Sequence, residues 1–291
     1  MTILQKAVLP QRERLWTQGD DLISGFVVTA SDAAWARTPA ELFEVHGLGF
    51  PGSPFSASSG AIDVLRFPAS PFTRLVNATG APSTDAGEAL GEGFVDHPPF
   101  TGNGFARLSA PHIVPVWWLE PTRVPPASEL WRIHADGREE FLTVYTNVAS
   151  GWQSGTGSVL PSDMCGRFAR WRGEQFLADE LTDGRVVLAS YAEREGWRLT
   201  ERGLWALVVD RAEVEELYAL RLTANWRGLP FQIVRRWETP QGPQARLVYL
   251  GRDSRAAEAA RLDKTDAAVY EATAPLAELE DLQGVQLSGA R

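Results

Sequence analysis

Apolar and polar positions alternate over short distances along most of the chain, which is the signature of strands rather than of long amphipathic helices. Residues 62–67 and 113–119 read as strands, and residues 130–134 and 140–147 read as a hairpin closed by Ala135-Asp136-Gly137. Helical chemistry is concentrated at Thr38-Pro39-Ala40-Glu41. Thr38 suits an N-cap, Pro39 fits the first helical position, and Glu41 completes a capping box, so a helix is expected up to Gly47 or Gly49. Further on, residues 175–181 and 185–189 flank the hairpin signal Asp183-Gly184, and residues 204–209 form another apolar strand.

The pattern then repeats. Trp171-Arg172-Gly173-Glu174-Gln175-Phe176 is answered by Trp226-Arg227-Gly228-Leu229-Pro230-Phe231, 55 residues on. Arg185-Val186-Val187-Leu188 matches Arg246-Leu247-Val248-Tyr249 at an offset of 61, and Trp205, Glu213 and Leu217 match Tyr270, Glu278 and Leu282 at 65. The offset grows only beside turn residues, as a duplicated fold requires. Residues 210–217 and 275–282, the tails of the two copies, suit a helical turn or a final strand. Units of this size built from short strands suggest small SH3-like barrels, with the repeated Trp and Phe as core anchors. The expected fold is an α+β N-terminal domain, mainly antiparallel sheet, over residues 1–150. A Gly/Ser-rich linker at 151–167 follows, then an all-β duplicated region with repeats at 168–222 and 223–285.

Composition narrows the setting. The 291 residues include 28 basic and 37 acidic side chains, a net charge of −9, and neither half carries a basic excess. That argues against a nucleic-acid partner. No apolar run has the length of a membrane span, and residues 1–21 hold charged groups where a secretory signal needs an apolar core. Cys165 is the single cysteine, which excludes an internal disulfide and a thiolate cluster. A cytoplasmic location is expected.

Candidate chemistry is sparse. His46, His97, His112 and His134 show no metal-ligand spacing, and no nucleophile elbow or phosphate loop is present, so neither metal nor cofactor is expected. The long Gly/Pro-rich stretches at 50–59 and 80–104 leave one enzymatic alternative, a nucleotide or NAD site gathering Asp96, His97, Arg66 and Arg123. For a binding role, one indole of Trp117-Trp118 faces away from the core if that segment is a strand, where it is either an interface anchor, a frequent role of Trp, or equally covered by the C-terminal domain. Glu238, Gln241 and Gln244, in the turn that lengthens the second repeat, are the other expected contact residues. A scaffold that binds a peptide at a sheet edge is a third possibility, marked by an unpaired strand next to Trp226.

The duplicated Trp-Arg-Gly-x-x-Phe units, with the tails at Asp210–Tyr218 and at 269–272 through 280–282, resemble actinobacterial immunity proteins, similar to the immunity factor of the tuberculosis necrotizing toxin. The resemblance covers about residues 168–285 and leaves residues 1–165 outside it. It implies a cytoplasmic antitoxin that binds a secreted, NAD-hydrolysing toxin domain and blocks its site, without chemistry of its own.

Overall fold

A computed structural model describes residues 2–50, 52–77, 100–101, 105–107, 113–155 and 159–288. In chain order the first half holds β1 (Ile3–Val8), α1 (Pro10–Thr17), β2 (Leu22–Thr29), α2 (Pro39–Val45), β3 (Ala61–Pro68), β4 (Leu75–Asn77), β5 (Phe100–Thr101), β6 (Phe105–Arg107), β7 (Ile113–Pro115), β8 (Trp117–Arg123), β9 (Ser128–His134), β10 (Glu139–Asn147) and β11 (Gly151–Trp152). Eight of these strands form one antiparallel sheet in the order β11-β10-β9-β3-β1-β2-β8-β4, and β5-β6-β7 form a small one. The capping box at α2 forms as expected, with Thr38 Oγ1 accepting from the Glu41 amide and Glu41 Oε2 accepting from the Thr38 amide. One expected strand is broken at Val116, into β7 and β8.

The second half holds β12 (Cys165–Trp171), β13 (Glu174–Glu180), β14 (Val186–Ser190), β15 (Arg198–Leu199), β16 (Trp205–Val209), β17 (Glu216–Trp226), β18 (Leu229–Thr239), β19 (Gly242–Tyr249), α3 (Ser254–Ala259), β20 (Asp263–Asp266), β21 (Val269–Pro275) and β22 (Glu280–Ser288). Its 11-stranded antiparallel sheet runs β15-β16-β14-β13-β12-β17-β18-β19-β21-β20, with β22 added on β17, and it curls into a half-barrel. The all-β expectation missed α3, which Asp253 caps by accepting from the amides of Arg255 and Ala256. The tails settle as both expected forms in succession: 3-10 turns at Arg211–Glu213 and Leu276–Glu278, each followed by a strand.

Trp171 and Trp226 have alike surroundings. Each is about 7% exposed. Each meets the Phe five residues on edge-to-face, at 6.1 Å and 66° for Phe176 and at 5.9 Å and 65° for Phe231. The arginines that follow, Arg172 and Arg227, both adopt φ 52° and lay their guanidinium over the indole, at 4.2 and 4.1 Å. The ladders match as well. Cys165 lies opposite Arg221, and Leu220 (55 on from Cys165) lies opposite Gln286 (65 on from Arg221). In β14 and β19 the matching offset is 59 rather than 61. Val186 opposite Val209 is answered by Ala245 opposite Ala274, so Val187, not Arg185, corresponds to Arg246. Both alignments put the same faces inward, because a two-residue shift preserves strand parity.

The two halves share a buried seam. One core cluster joins Ala7, Phe26, Val64 and Trp118 of the first half to Cys165, Val234, Val248 and Val269 of the second. The stretch expected to act as a linker carries structure at both ends: β11 pairs with β10, Trp152 stacks on Trp16 at 5.1 Å, and Cys165 already lies in β12. Charged groups are sealed within the seam. Asp179 accepts from Arg167 Nε at 2.7 Å, from the Val148 amide at 2.6 Å and from Arg123 Nη2 at 3.4 Å. Arg202 reaches Asp21 at 3.0 Å, Arg12 and Arg246 hold Glu271 at 3.0 and 2.6 Å, and Lys6 meets Asp266 at 2.7 Å. Such groups are tolerated in a core only when paired. Two glycines permit the close approach. A Cβ on Gly166, at φ +107°, would lie 2.8 Å from Arg123 Cβ, and one on Gly25, at φ +97°, would lie 2.7 Å from Val269 Cγ2.

Candidate docking surface

Halfway along its length, β18 leaves the half-barrel. Residues 229–233 pair with β17, the register slips between Ile233 and Arg235, and residues 235–239 pair only with β19. β19 in turn meets β21 only from Gln244 onward. Residues 235–239 of β18 therefore stand beyond β17, and residues 242–243 of β19 beyond β21, as a two-stranded arm. A bulge of this kind bends the strand and re-aims the side chains that follow it. The base of the arm is fixed where Arg235 Nη1 donates to the Leu160 carbonyl at 2.8 Å and Arg236 pairs with Asp163 at 2.8 Å. At its tip Thr239 Oγ1 donates to the Gly242 carbonyl at 2.7 Å and accepts from the Gln241 amide at 3.2 Å.

Of the expected contact residues, Glu238 and Gln241 are exposed on this arm, and Gln244 is half-buried at its base. Trp237 is 38% exposed and lies opposite Gln244. Sequence reasoning did not single it out, although the longer turn of the second repeat was the signal that something projects there.

The other sequence-predicted residues lie elsewhere. Trp118 is a correction: it is 1% exposed and packs edge-to-face on Phe26, so it is core and offers nothing to a partner. Trp117 is half-buried and packs against the core cluster that holds Leu4, Val27 and Leu119. Of the two readings left open, cover by the second half describes Trp118, whose core cluster takes in Cys165, Val234 and Val248. Arg66 lies on β3, doubly bonded to Glu139 at 2.8 and 2.9 Å and to Gln5 at 3.2 Å. Arg123 is fully buried in the seam, where its Nη2 donates to the Arg167 and Ala178 carbonyls at 2.6 and 2.7 Å. Arg66 and Arg123 share no partner and are not brought together; Asp96 and His97 lie outside the described residues.

The remaining titratable candidates each have partners within the fold. Burial pushes the Cys165 thiol up to about 12, and the sulfur sits between the Pro121 carbonyl and the Gln232 amide. Burial, with nearby Lys6, pulls His46 down to about 3, and its Nε2 is 3.1 Å from Gln5 Nε2. His134 meets Glu140 at 2.7 Å across the hairpin. Among the described residues no three His, Cys, Asp or Glu side chains group to hold a metal ion. Open surface clefts exist, one of about 530 Å³ beside Arg198, Leu199 and Val208 and one of about 370 Å³ between Arg221, Asn225, Asp281 and Gln283.

Comparison with models of protein families, with curated proteins and with solved structures returned no match. Among the described residues no helix is long and apolar enough to cross a membrane.

Proposed function

We propose that this chain is a binding protein that docks another protein through the β18–β19 arm, with the second half as a tandem pair of SH3-like units that carries it. The observation behind this reading is the arm itself: an exposed Trp237 flanked by Glu238 and Gln241, on a hairpin pinned at its base by Arg235 and Arg236. A rigid aromatic on an anchored element loses little entropy on binding, which is the usual character of a hot spot. The tandem reading is supported by the matched environments of Trp171 and Trp226 and by ladders that coincide when shifted by 55 and 65 residues. Each unit then runs as five strands, the short fourth lying outside the fifth, then a 3-10 turn and a closing strand that returns to the first.

The partner class comes from the resemblance: a secreted toxin domain of the NAD-hydrolysing type, bound in the cytoplasm as an immunity complex. Co-purification of the full chain with such a domain, followed by titration calorimetry and an NAD-hydrolysis assay, tests this. The expected result is a stable complex without NAD turnover, weakened at least about 30-fold by Trp237→Ala, as for a hot spot of about 2 kcal/mol. No complex with any such domain, or turnover of a metabolite by the purified chain alone, would sink the reading.

A further inference from the structure

Natural sheets guard their edges, because an unpaired row of amides and carbonyls templates pairing with another chain. Most edges in this molecule are guarded. The outer strands of the first sheet, β11 and β4, have two and three residues, and β15 of the second sheet has two. β20, at the far end, has four and carries Asp263, Lys264 and Asp266. The β18–β19 arm bears Arg236, Glu238, Pro240 and Pro243.

β22 breaks this pattern. It has nine residues, pairs with β17 on one side only among the described residues, and is uncharged from Leu282 to Ser288. Leu282 is 58% and Val285 40% exposed. It also lies next to Trp226, whose indole N–H donates to Glu278 just ahead of the strand at 2.9 Å. We propose that β22 is a self-pairing edge, through which two copies of this chain join across a two-fold axis into one continuous antiparallel sheet.

Two observations select a second copy as the occupant. The first is continuity. β17 stands to β12 as β22 stands to β17, and β17 is paired on both sides over residues 218–221, with Phe168 and Ser288 both opposite Tyr218. The equivalent edge of β22 is the one left open, and in β17 that position is filled by an antiparallel strand of this same sequence. The second is complementarity. β22 has one extra residue against β17 between Glu280 and Gln283, with Asp281 at φ 49°, so its regular alternation runs from Leu282 to Ser288. A two-fold axis perpendicular to a sheet keeps opposed residues on one face and so passes between a residue and its own copy, and pairing these seven residues places it at Val285. Leu282 then faces Ser288 of the other copy, Gln283 faces Leu287, Gly284 faces Gln286 and Val285 faces its own copy. No like charges oppose, and the uncharged stretch meets itself.

This inference does not depend on the toxin-binding reading. Sedimentation velocity of the full chain, with melting and far-ultraviolet circular dichroism as controls for folding, is the test. The wild type should dimerise, at twice 32.0 kDa. Val285→Lys sets lysine against its own copy in this register and should weaken the dimer by about tenfold or more. An equimolar mixture of Val285→Lys and Val285→Glu chains sets opposite charges across the same pair and should restore it. A wild type that stays monomeric at its highest soluble concentration overturns the proposal. So does a dimer indifferent to both charge variants, or an edge that captures a foreign extended peptide while the chain remains monomeric.

Discussion

Asp179 is the group on which the seam between the halves depends most, and Asp179→Asn measures that dependence without opening a cavity. The carboxylate is fully buried and balances Arg167, itself 4% exposed, and Arg123, fully buried. Arg123 Nε and Nη1 have no acceptor, so its charge relies on Asp179 and on the Arg167 and Ala178 carbonyls. The isosteric amide keeps one acceptor and the shape but removes the charge, leaving two guanidinium groups in a medium that cannot solvate them. Breaking a buried pair in this way costs about 3–5 kcal/mol. At roughly 2 °C per kcal/mol for a chain of this size, Tm should fall by roughly 6–10 °C. Denaturant unfolding followed by tryptophan fluorescence should show a lower midpoint with an unchanged slope. Replacing the whole triad, Asp179→Leu with Arg123→Met and Arg167→Met, should recover most of the loss, since apolar isosteres of a buried ion cluster are near neutral. A loss below about 1 kcal/mol for Asp179→Asn, or a triple variant as damaged as the single one, would refute the reasoning by showing that water already solvates these charges.

Three further outcomes are expected. His46 is neutral in the folded chain with its pKa pulled to about 3, whereas the unfolded chain binds that proton near 6.5; its contribution is therefore complete above pH 6.5 and is lost as pH falls toward 3. That loss is about 2 kcal/mol by pH 5, and His46→Leu should flatten this part of a stability-versus-pH curve. Trp171→Ala and Trp226→Ala should each cost about 3–5 kcal/mol, equal to within about 1 kcal/mol, and a large inequality in calorimetric unfolding would count against equivalent environments. Cys165 should resist a thiol reagent at pH 8 in the native chain and react at once in denaturant, because the thiol is 1% exposed and held un-ionised; prompt native labelling would show that the seam opens.

Local chemistry announced the parts of the fold whose causes are local. The Thr38–Glu41 box and the Asp136-Gly137 and Asp183-Gly184 turns each bring together residues within a few positions of one another, so their pattern is visible in a short window. What was missed has distant causes. β1 was not anticipated, because Gln5 and Lys6 interrupt its apolar run; both are buried, and their partners His46, Arg66 and Asp266 come from three other segments. The side of the sheet on which Trp237 lies was equally hidden, since the register slip after Ile233 overrides simple alternation.

Sequence alone determined that this is a strand-rich chain with a repeated Trp-Arg-Gly-x-x-Phe segment, a single cysteine and an acidic balance, because hydrophobic period and turn residues act over short spans. Only the tertiary structure decided the rest. It covered Trp118, kept Arg66 apart from Arg123, sealed the Asp179 cluster between the halves, and left the β18–β19 arm and the β22 edge in solvent. The physical reason is that burial, and the pairing of charge it demands, is a property of the whole surface removed from water. No window of neighbouring residues contains that information.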